Sequence, residues 1–327
     1  MNNGLLSQAE KFVNDWILPI EGMISEGKVS IIIPVYFPEH LQEVIDHLEK
    51  MGDFYEIILV DDSGKFDERV YEGLRKYINI KVLYHSKNLG RSAARNSGAA
   101  VAVGDILMFM DQDMFLNPQF IAEARKYYAV NKSLVFLGLR DTISFDEIPV
   151  IEKWVSPRKE SDWRICTVVN PSFVDLTVLN VGNEFHGCTP NETICIRKMT
   201  NELRNMGIGK DNTLGFWDLP SMVVSHTMAI SKKDFFNIGG FPEWIQGWGG
   251  EDIVLGFLCC SAHVPIFLSN CVSYQAQHHP YSGSEETKVI ELKNNINYYR
   301  EWAQSIDEFP HFSLEETKCR ASVYYLW

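Results

Sequence analysis

Asp111 and Asp113 flank Gln112 directly after five apolar residues, Ile106 to Met110. Such a run is short for a buried helix and suits a strand covered on both faces. Acids at its carboxyl end lie where open α/β sheets gather their ligands. Two neighbouring carboxylates repel each other, and a hard divalent cation whose shell is completed by diphosphate oxygens relieves that repulsion. An isolated D-x-D reads equally as the solvated turn that ends a strand. A second acidic pair, Glu251-Asp252, follows Gly247-Trp248-Gly249-Gly250 and opens an apolar stretch from Ile253 to Leu258. Acids in a first helical turn are favoured by the macrodipole and alone carry little. Trp248 between glycines carries more, because an indole stacks on a sugar face and glycine lets backbone approach a ligand closely.

The elements that must position these groups follow from periodicity. Val29 to Tyr36 is a β-branched run that reads as a buried strand ended by proline. Leu41, Val44, Ile45 and Leu48 recur at helical spacing. Glu56 to Val60 is the next strand, with Asp61-Asp62-Ser63-Gly64 as its turn. Val70, Leu74 and Tyr77 mark a second helix, and Ile80 to Tyr84 a third strand. Gly90 to Val103 is a small-residue helix that delivers the chain to the strand ending at Asp111. Strands alternating with helices at this spacing predict βαβ units and a mostly parallel, Rossmann-like sheet with flanking helices. Neither a G-x-G-x-x-G nor a P-loop follows the first strand.

Five segments are expected. Residues 1–27 form a helical lead-in and 28–140 the α/β half. Residues 141–220, polar with scattered aromatics, form a variable region of functional loop. Residues 221–283 return to regular structure, and 284–327 form a helical tail.

Composition narrows the partners. The 327 residues carry a formal charge of −13, which excludes a nucleic-acid partner held by phosphate neutralisation. No apolar run is long enough for a membrane span, which leaves peripheral association open. Seven irregularly spaced cysteines without a C-x-x-C pair suggest reduced thiols, and the lack of a signal-peptide pattern suggests a cytoplasmic location.

Ile31-Ile32-Ile33-Pro34-Val35-Tyr36, Leu59-Val60-Asp61-Asp62-Ser63, Asn88-Leu89-Gly90 with Ala94-Arg95-Asn96, and Met110-Asp111-Gln112-Asp113 resemble, in order and spacing, the motifs of family 2 glycosyltransferases. Gly239-Gly240-Phe241-Pro242 and Gly247-Trp248-Gly249-Gly250-Glu251-Asp252 resemble a later motif shared with β1,4-galactosyltransferases and chondroitin-polymerase type enzymes. The resemblance covers roughly residues 28–140 and 221–283. It implies a GT-A fold whose sheet carries a UDP-sugar site and whose variable part meets the acceptor.

It further implies that Asp61 contacts the uracil, an acid pair before Ser-Gly being otherwise a turn former. Pro34, Val35 and Tyr36 would offer backbone and a ring edge to the same base. One of Arg91 and Arg95 reaches the base or the diphosphate, unless both are solvated helix arginines. Asp113 is the direct ligand of Mn²⁺ or Mg²⁺, and Asp111 serves the ribose or the metal through water. Gln112, Trp248 and Gly250 are counted among the nucleotide-sugar contacts. His278 matches an H-x-x-x-x-G segment ending at Gly283. A neutral imidazole there suits Mn²⁺, whereas Mg²⁺ prefers oxygen. Asp252 maps to the general base and Glu251 to a holder of sugar or acceptor hydroxyls. One departure is that Ile253 and Val254 stand where the galactosyltransferases continue with further acids.

The expected activity is thus an inverting, metal-dependent transfer of a hexose or N-acetylhexosamine from a UDP-sugar to a glycan, lipid carrier, small molecule or protein. Two other classes compete. A sugar-1-phosphate nucleotidyltransferase would need a basic, glycine-rich loop after its first strand, which Pro34 to His40 is not. A non-catalytic sugar-nucleotide or glycan-binding module would share the same nucleotide residues.

Overall fold

The computed structural model describes residues 27–130, 132–143, 223–262, 264, 266–276, 286–288, 290–292, 294–295, 298 and 322–324. The helical lead-in and most of the 141–220 region lie outside them. The described strands form one nine-stranded sheet in the order β5-β8-β6-β7-β4-β1-β2-β3-β9. Its centre is the expected parallel unit: β1 (Val29–Val35) lies between β2 (Glu56–Asp61) and β4 (Ile106–Met110), and β3 (Ile80–Tyr84) pairs with β2.

The alternation of side chains along β1 sorts the core. Ile31 and Ile33 face one side and pack with α1 (Leu41–Met51) through Leu41, Val44, Ile45 and Leu48. Ile32 faces the other side with Ile58, Val60, Leu107 and Phe109, under α2 (Arg91–Val101). Burial on both faces explains why these strands read as continuous apolar runs. The segment marked by Val70, Leu74 and Tyr77 is a 3₁₀ helix over Glu68–Lys76, not an α-helix. Its three-residue period buries Tyr71 and Leu74 and turns Val70 outward.

Gly98 sets how closely α2 approaches the sheet. A Cβ there would meet Ile32 Cγ2 at 2.5 Å and Val60 Cγ2 at 3.2 Å. Both are branched side chains locked in the core, so Gly98→Ala is expected to destabilise the protein by roughly 1–3 kcal/mol. Urea unfolding measures this. A variant as stable as wild type would mean that the helix has slack to move outward.

The rest of the sheet is mixed. β7 (Thr227–Ser231) runs antiparallel to β4, and β6 (Val135–Ile143) is antiparallel to β7 but parallel to β8 (Ile266–Ala276). The two-residue β5 (Met114–Phe115) closes one edge against β8. At the other edge β9 (Ser322–Tyr324) pairs antiparallel with β3. The segment after residue 284 therefore differs from the expected helical tail: its described residues between 286 and 298 are helical, but it ends in a sheet strand. Helices α3 (Phe120–Val130), α4 (Lys232–Asn237) and α5 (Glu251–Ser261) complete the described elements. No described helix is long and apolar enough to cross a membrane.

Candidate active site

The carboxyl ends of β1, β2 and β4 open onto one edge, and the antiparallel β7 begins there. Met110 pairs with Thr227, so the Asp111 N–H donates to the His226 carbonyl at 3.2 Å. Asp113 follows in the turn before β5. Its Oδ2 accepts from Gln275 Nε2 at 2.7 Å, and its carbonyl accepts from the Ala276 N–H at 3.0 Å. The end of β8 is thereby pinned to the D-x-D turn. His278, two residues beyond Ala276, lies outside the described residues.

The two acids sit in opposite electrostatic settings. Burial pushes the Asp113 carboxyl up to about 7, and the neighbouring charge of Asp111 adds to the rise. Burial also opposes ionisation of Asp111, but the Arg95 guanidinium, then His226 and Arg91, hold its carboxyl below the ordinary value. A buried carboxyl that resists ionising beside an ionised one is the situation a hard cation resolves. The donor set therefore fits Mn²⁺ or Mg²⁺ with two protein carboxylates and substrate oxygens. Among the described residues, no three His, Cys, Asp or Glu side chains gather around one point.

Arg95 is the centre of the site. It is 2% exposed, so it is not a solvated helix arginine. Its Nη2 donates to Asp111 Oδ1 at 3.0 Å and its Nη1 to Glu251 Oε1 at 3.2 Å. The guanidinium also lies over the Phe241 ring, 5.1 Å from its centroid. Arg91, one turn earlier and 37% exposed at its side chain, donates to the same Glu251 oxygen at 3.3 Å. Glu251 is buried between the two arginines, so its carboxylate faces protein cations where the sequence suggested substrate hydroxyls.

Asp252 joins this network by charge alone, without a hydrogen bond to Arg95. Its Oδ1 is 4.0 Å from Arg95 Nη1, beyond hydrogen-bond reach, and has no hydrogen-bond partner although buried. Burial and the charge of Glu251 push its carboxyl up to about 6, against the pull of Arg95 and of the nearby Ser225 hydroxyl. A carboxyl with a free oxygen and a pKa near neutrality has the properties of a proton acceptor.

Toward β2, Asp61 ends the strand with Oδ1 accepting from the Ser63 N–H at 2.9 Å and Oδ2 from the Tyr71 hydroxyl at 2.8 Å. Pro34 and Val35 end β1, and Tyr36 is 46% exposed beside Phe37. Gln112 is largely committed to that loop: its Oε1 accepts from the Tyr36 and Phe37 N–H groups at 2.8 and 3.3 Å, and its Nε2 donates to the Phe37 carbonyl at 2.7 Å. It joins the D-x-D turn to the end of β1.

Trp248 is half-buried, with Lys288 Nζ 6.0 Å from its ring centroid. The glycines around it do not face open space. A Cβ on Gly247, Gly249 or Gly250 would meet Glu291, Leu292 or Asn295 at 2.8, 2.9 and 3.0 Å, so the close approach they permit is to residues 291–295.

Two positioning residues escaped the sequence reading. Asp62 receives the N–H groups of Leu89 and Gly90 at 2.8 Å each and pairs with His85 Nδ1 at 2.8 Å, while His85 Nε2 contacts the Ser97 hydroxyl at 3.0 Å. This buried chain fixes the entry to α2 and hence both arginines. Asn96 binds Phe241 in both directions, its Nδ2 donating to the carbonyl and its Oδ1 accepting from the N–H, each at 2.9 Å. That clamp ties α2 to the segment leading to Glu251. The motif Ala94-Arg95-Asn96 was visible in the sequence, but its partner segment more than a hundred residues away was not.

Comparison with known proteins bears on the family and the fold. The family model described as Glycosyl transferase family 2 matches residues 30–203, more than half of the chain. A second, described as the N-terminal domain of galactosyltransferase, matches residues 220–257. Validoxylamine A glucosyltransferase of Streptomyces hygroscopicus subsp. limoneus is 25% identical over 301 residues, covering 88% of this chain and 59% of that protein. An uncharacterized glycosyltransferase of Haemophilus influenzae is 23% identical, covering 88% of this chain and 81% of its own length. The chain thus spans about three-fifths of the first of these relatives and most of the second. The crystal structure of GalNAc-T7 with UDP, GalNAc and Mn²⁺ superimposes with a TM-score of 0.50 at 17% identity, covering 90% of this chain and 53% of that one. With the motif-bearing strands, the D-x-D turn and the family match falling on the same residues, this chain belongs to glycosyl transferase family 2 and has the GT-A fold.

Proposed function

We propose that this protein is an inverting, divalent-metal-dependent glycosyltransferase that moves a hexose or N-acetylhexosamine from a UDP-sugar to an acceptor nucleophile. The observation that carries this reading is Asp252: a carboxyl with an unpartnered buried oxygen, beside the arginine that also grips the D-x-D acid. The family match and the glucosyltransferase name of one relative support the reaction class.

In this reading the uracil lies across Pro34, Val35 and Tyr36, with Asp61 accepting from the base. Arg91 turns its exposed portion toward the diphosphate, and Trp248 faces the transferred sugar, with Gly250 packed against Asn295 behind it. Asp113 and Asp111, with His278 as the third ligand implied by the resemblance, hold Mn²⁺ or Mg²⁺. When bound, the cation supplies Lewis-acid neutralisation of the departing diphosphate, worth several kcal/mol. Asp252 receives the acceptor's proton as that nucleophile attacks the anomeric carbon from the face opposite the diphosphate. The 4.0 Å ion pair of Asp252 with Arg95 is too long for a hydrogen bond, which keeps the oxygen available while the guanidinium still stabilises the ionised form. The acceptor class stays as broad as the sequence left it: glycan, lipid carrier, small molecule or protein, met peripherally if it is in a membrane.

Calorimetry with UDP tests the metal half of the proposal. Wild type is expected to bind UDP at least about tenfold more tightly in Mn²⁺ than in EDTA, about 1.4 kcal/mol. Asp113→Ala is expected to erase that difference while keeping the weaker affinity. Equal affinities with and without the cation in wild type would remove the metal from the proposal.

A further inference from the structure

The loop from Trp244 to Gly250 leads directly into Glu251 and Asp252; Ile245 anchors its start in the core, and the glycine-rich stretch from Gln246 to Gly250 is held from outside. Its support comes from a segment that no motif marked. Lys288, Glu291, Leu292, Asn295 and Tyr298 recur at i, i+3, i+4, i+7 and i+10, one stripe of a helix. The described residues between 286 and 298 are helical.

That stripe meets the loop at every step. Asn295 Nδ2 donates to the carbonyls of Gln246, Trp248 and Gly249 at 3.1, 3.4 and 2.8 Å. Glu291 Oε2 accepts from the Trp248 N–H at 2.9 Å. The Trp244 and Tyr298 rings pack with centroids 4.8 Å apart. Gly247, Gly249 and Gly250 all have positive φ, and the stripe occupies the space where their Cβ atoms would be. Three glycines in one loop are conformationally permissive. An amide and a carboxylate holding four of the loop's backbone groups remove that freedom.

We infer that Glu291 and Asn295 are positioning residues for the proposed transfer reaction: they hold the Trp248 loop in register with the first turn of α5, and so set the distance between the sugar-facing indole and Asp252. The inference rests on the glycosyltransferase reading for its consequence but not for its geometry. Neither side chain touches the D-x-D turn or the nucleotide strands in the contacts above. Loss of the clamp should therefore leave UDP binding intact and act on turnover.

Three variants separate this from a general structural role. Asn295→Asp keeps the shape, removes the donor and sets a carboxylate against carbonyl oxygens. Glu291→Ala removes the acceptor, whereas Glu291→Gln retains an oxygen that accepts from Trp248. Hydrogen exchange of peptides spanning 243–250, UDP calorimetry and steady-state kinetics are measured on each. Exchange in the loop is expected to quicken about tenfold or more in Asn295→Asp and Glu291→Ala. Their kcat should fall about tenfold, with UDP affinity within about twofold of wild type, and Glu291→Gln should stay near wild type. Should Asn295→Asp fail to fold, the Glu291 pair decides alone, because that side chain is only partly buried. Unchanged loop exchange in Glu291→Ala overturns the clamp. Faster exchange with unaltered kcat overturns its link to the reaction. A wild type without transferase activity defeats the parent reading instead, and the exchange result still judges the clamp.

Discussion

Asp252→Asn is expected to lower kcat by about 10² or more while UDP affinity stays at the wild-type level. The substitution preserves the shape of the side chain and removes only its ability to take a proton. Asp252 is the second residue of α5. A merely structural acid there would contribute only its charge at the helix N-terminus, about 0.3–1 kcal/mol of stability, and its loss would leave turnover nearly unchanged. The nucleotide strands and the D-x-D turn are untouched, which protects UDP binding. A pH profile supplies the second signature. Burial and Glu251 push the Asp252 carboxyl up to about 6, and a base must be deprotonated to act. Turnover should rise with pH through about 6 and level off above it. Asp113 also resists ionisation, so the profile is recorded at saturating Mn²⁺, where the cation displaces its proton. The acidic limb that remains should be missing from the Asn variant. An Asp252→Asn enzyme within a few-fold of wild type removes Asp252 from the mechanism.

Arg95→Met is expected to cost roughly 3–5 kcal/mol of stability, because it leaves the buried Glu251 to the half-exposed Arg91 and takes the guanidinium partner from the half-buried Asp111. Asp111 and Glu251 each lose a hydrogen bond, and Asp252 loses the charge that favours its ionised form. Met fills similar volume, so cavity formation is a minor part of the loss. Urea unfolding should show a lower midpoint with an unchanged slope. Arg95→Lys should recover only part, since an ammonium lacks the planar fork that spans Asp111 and Glu251 at once. A loss below about 1 kcal/mol for Arg95→Met would mean that these carboxylates do not depend on the guanidinium.

Much of the parallel α/β half was legible because its strands are buried on both faces. Ile31 to Val35, Ile57 to Val60 and Ile106 to Met110 read as apolar runs for that reason, and the acids at their ends stood out. What stayed hidden depended on partners far along the chain. Nothing in Arg-Ser-Ala-Ala-Arg distinguishes a buried guanidinium from a solvated one until Glu251 is brought 3.2 Å from Arg95. Glu251 was assigned to substrate hydroxyls because its arginine partners were invisible in sequence. The glycines around Trp248 were read as room for a ligand, and the room is taken by Glu291, Leu292 and Asn295. Short edge strands failed for another cause. β5 has two residues and β9 three, too few to show a period, and both form against a partner already in place.

The proposal that this chain transfers sugar from a UDP-sugar is tested most directly by incubating wild-type protein with a panel of UDP-hexoses and UDP-N-acetylhexosamines in Mn²⁺ and measuring UDP release. Slow donor hydrolysis needs no acceptor, so an unidentified acceptor does not block the measurement. The account predicts release from at least one donor, stopped by EDTA and restored by added Mn²⁺. No release from any donor, or release that EDTA leaves unchanged, would contradict it.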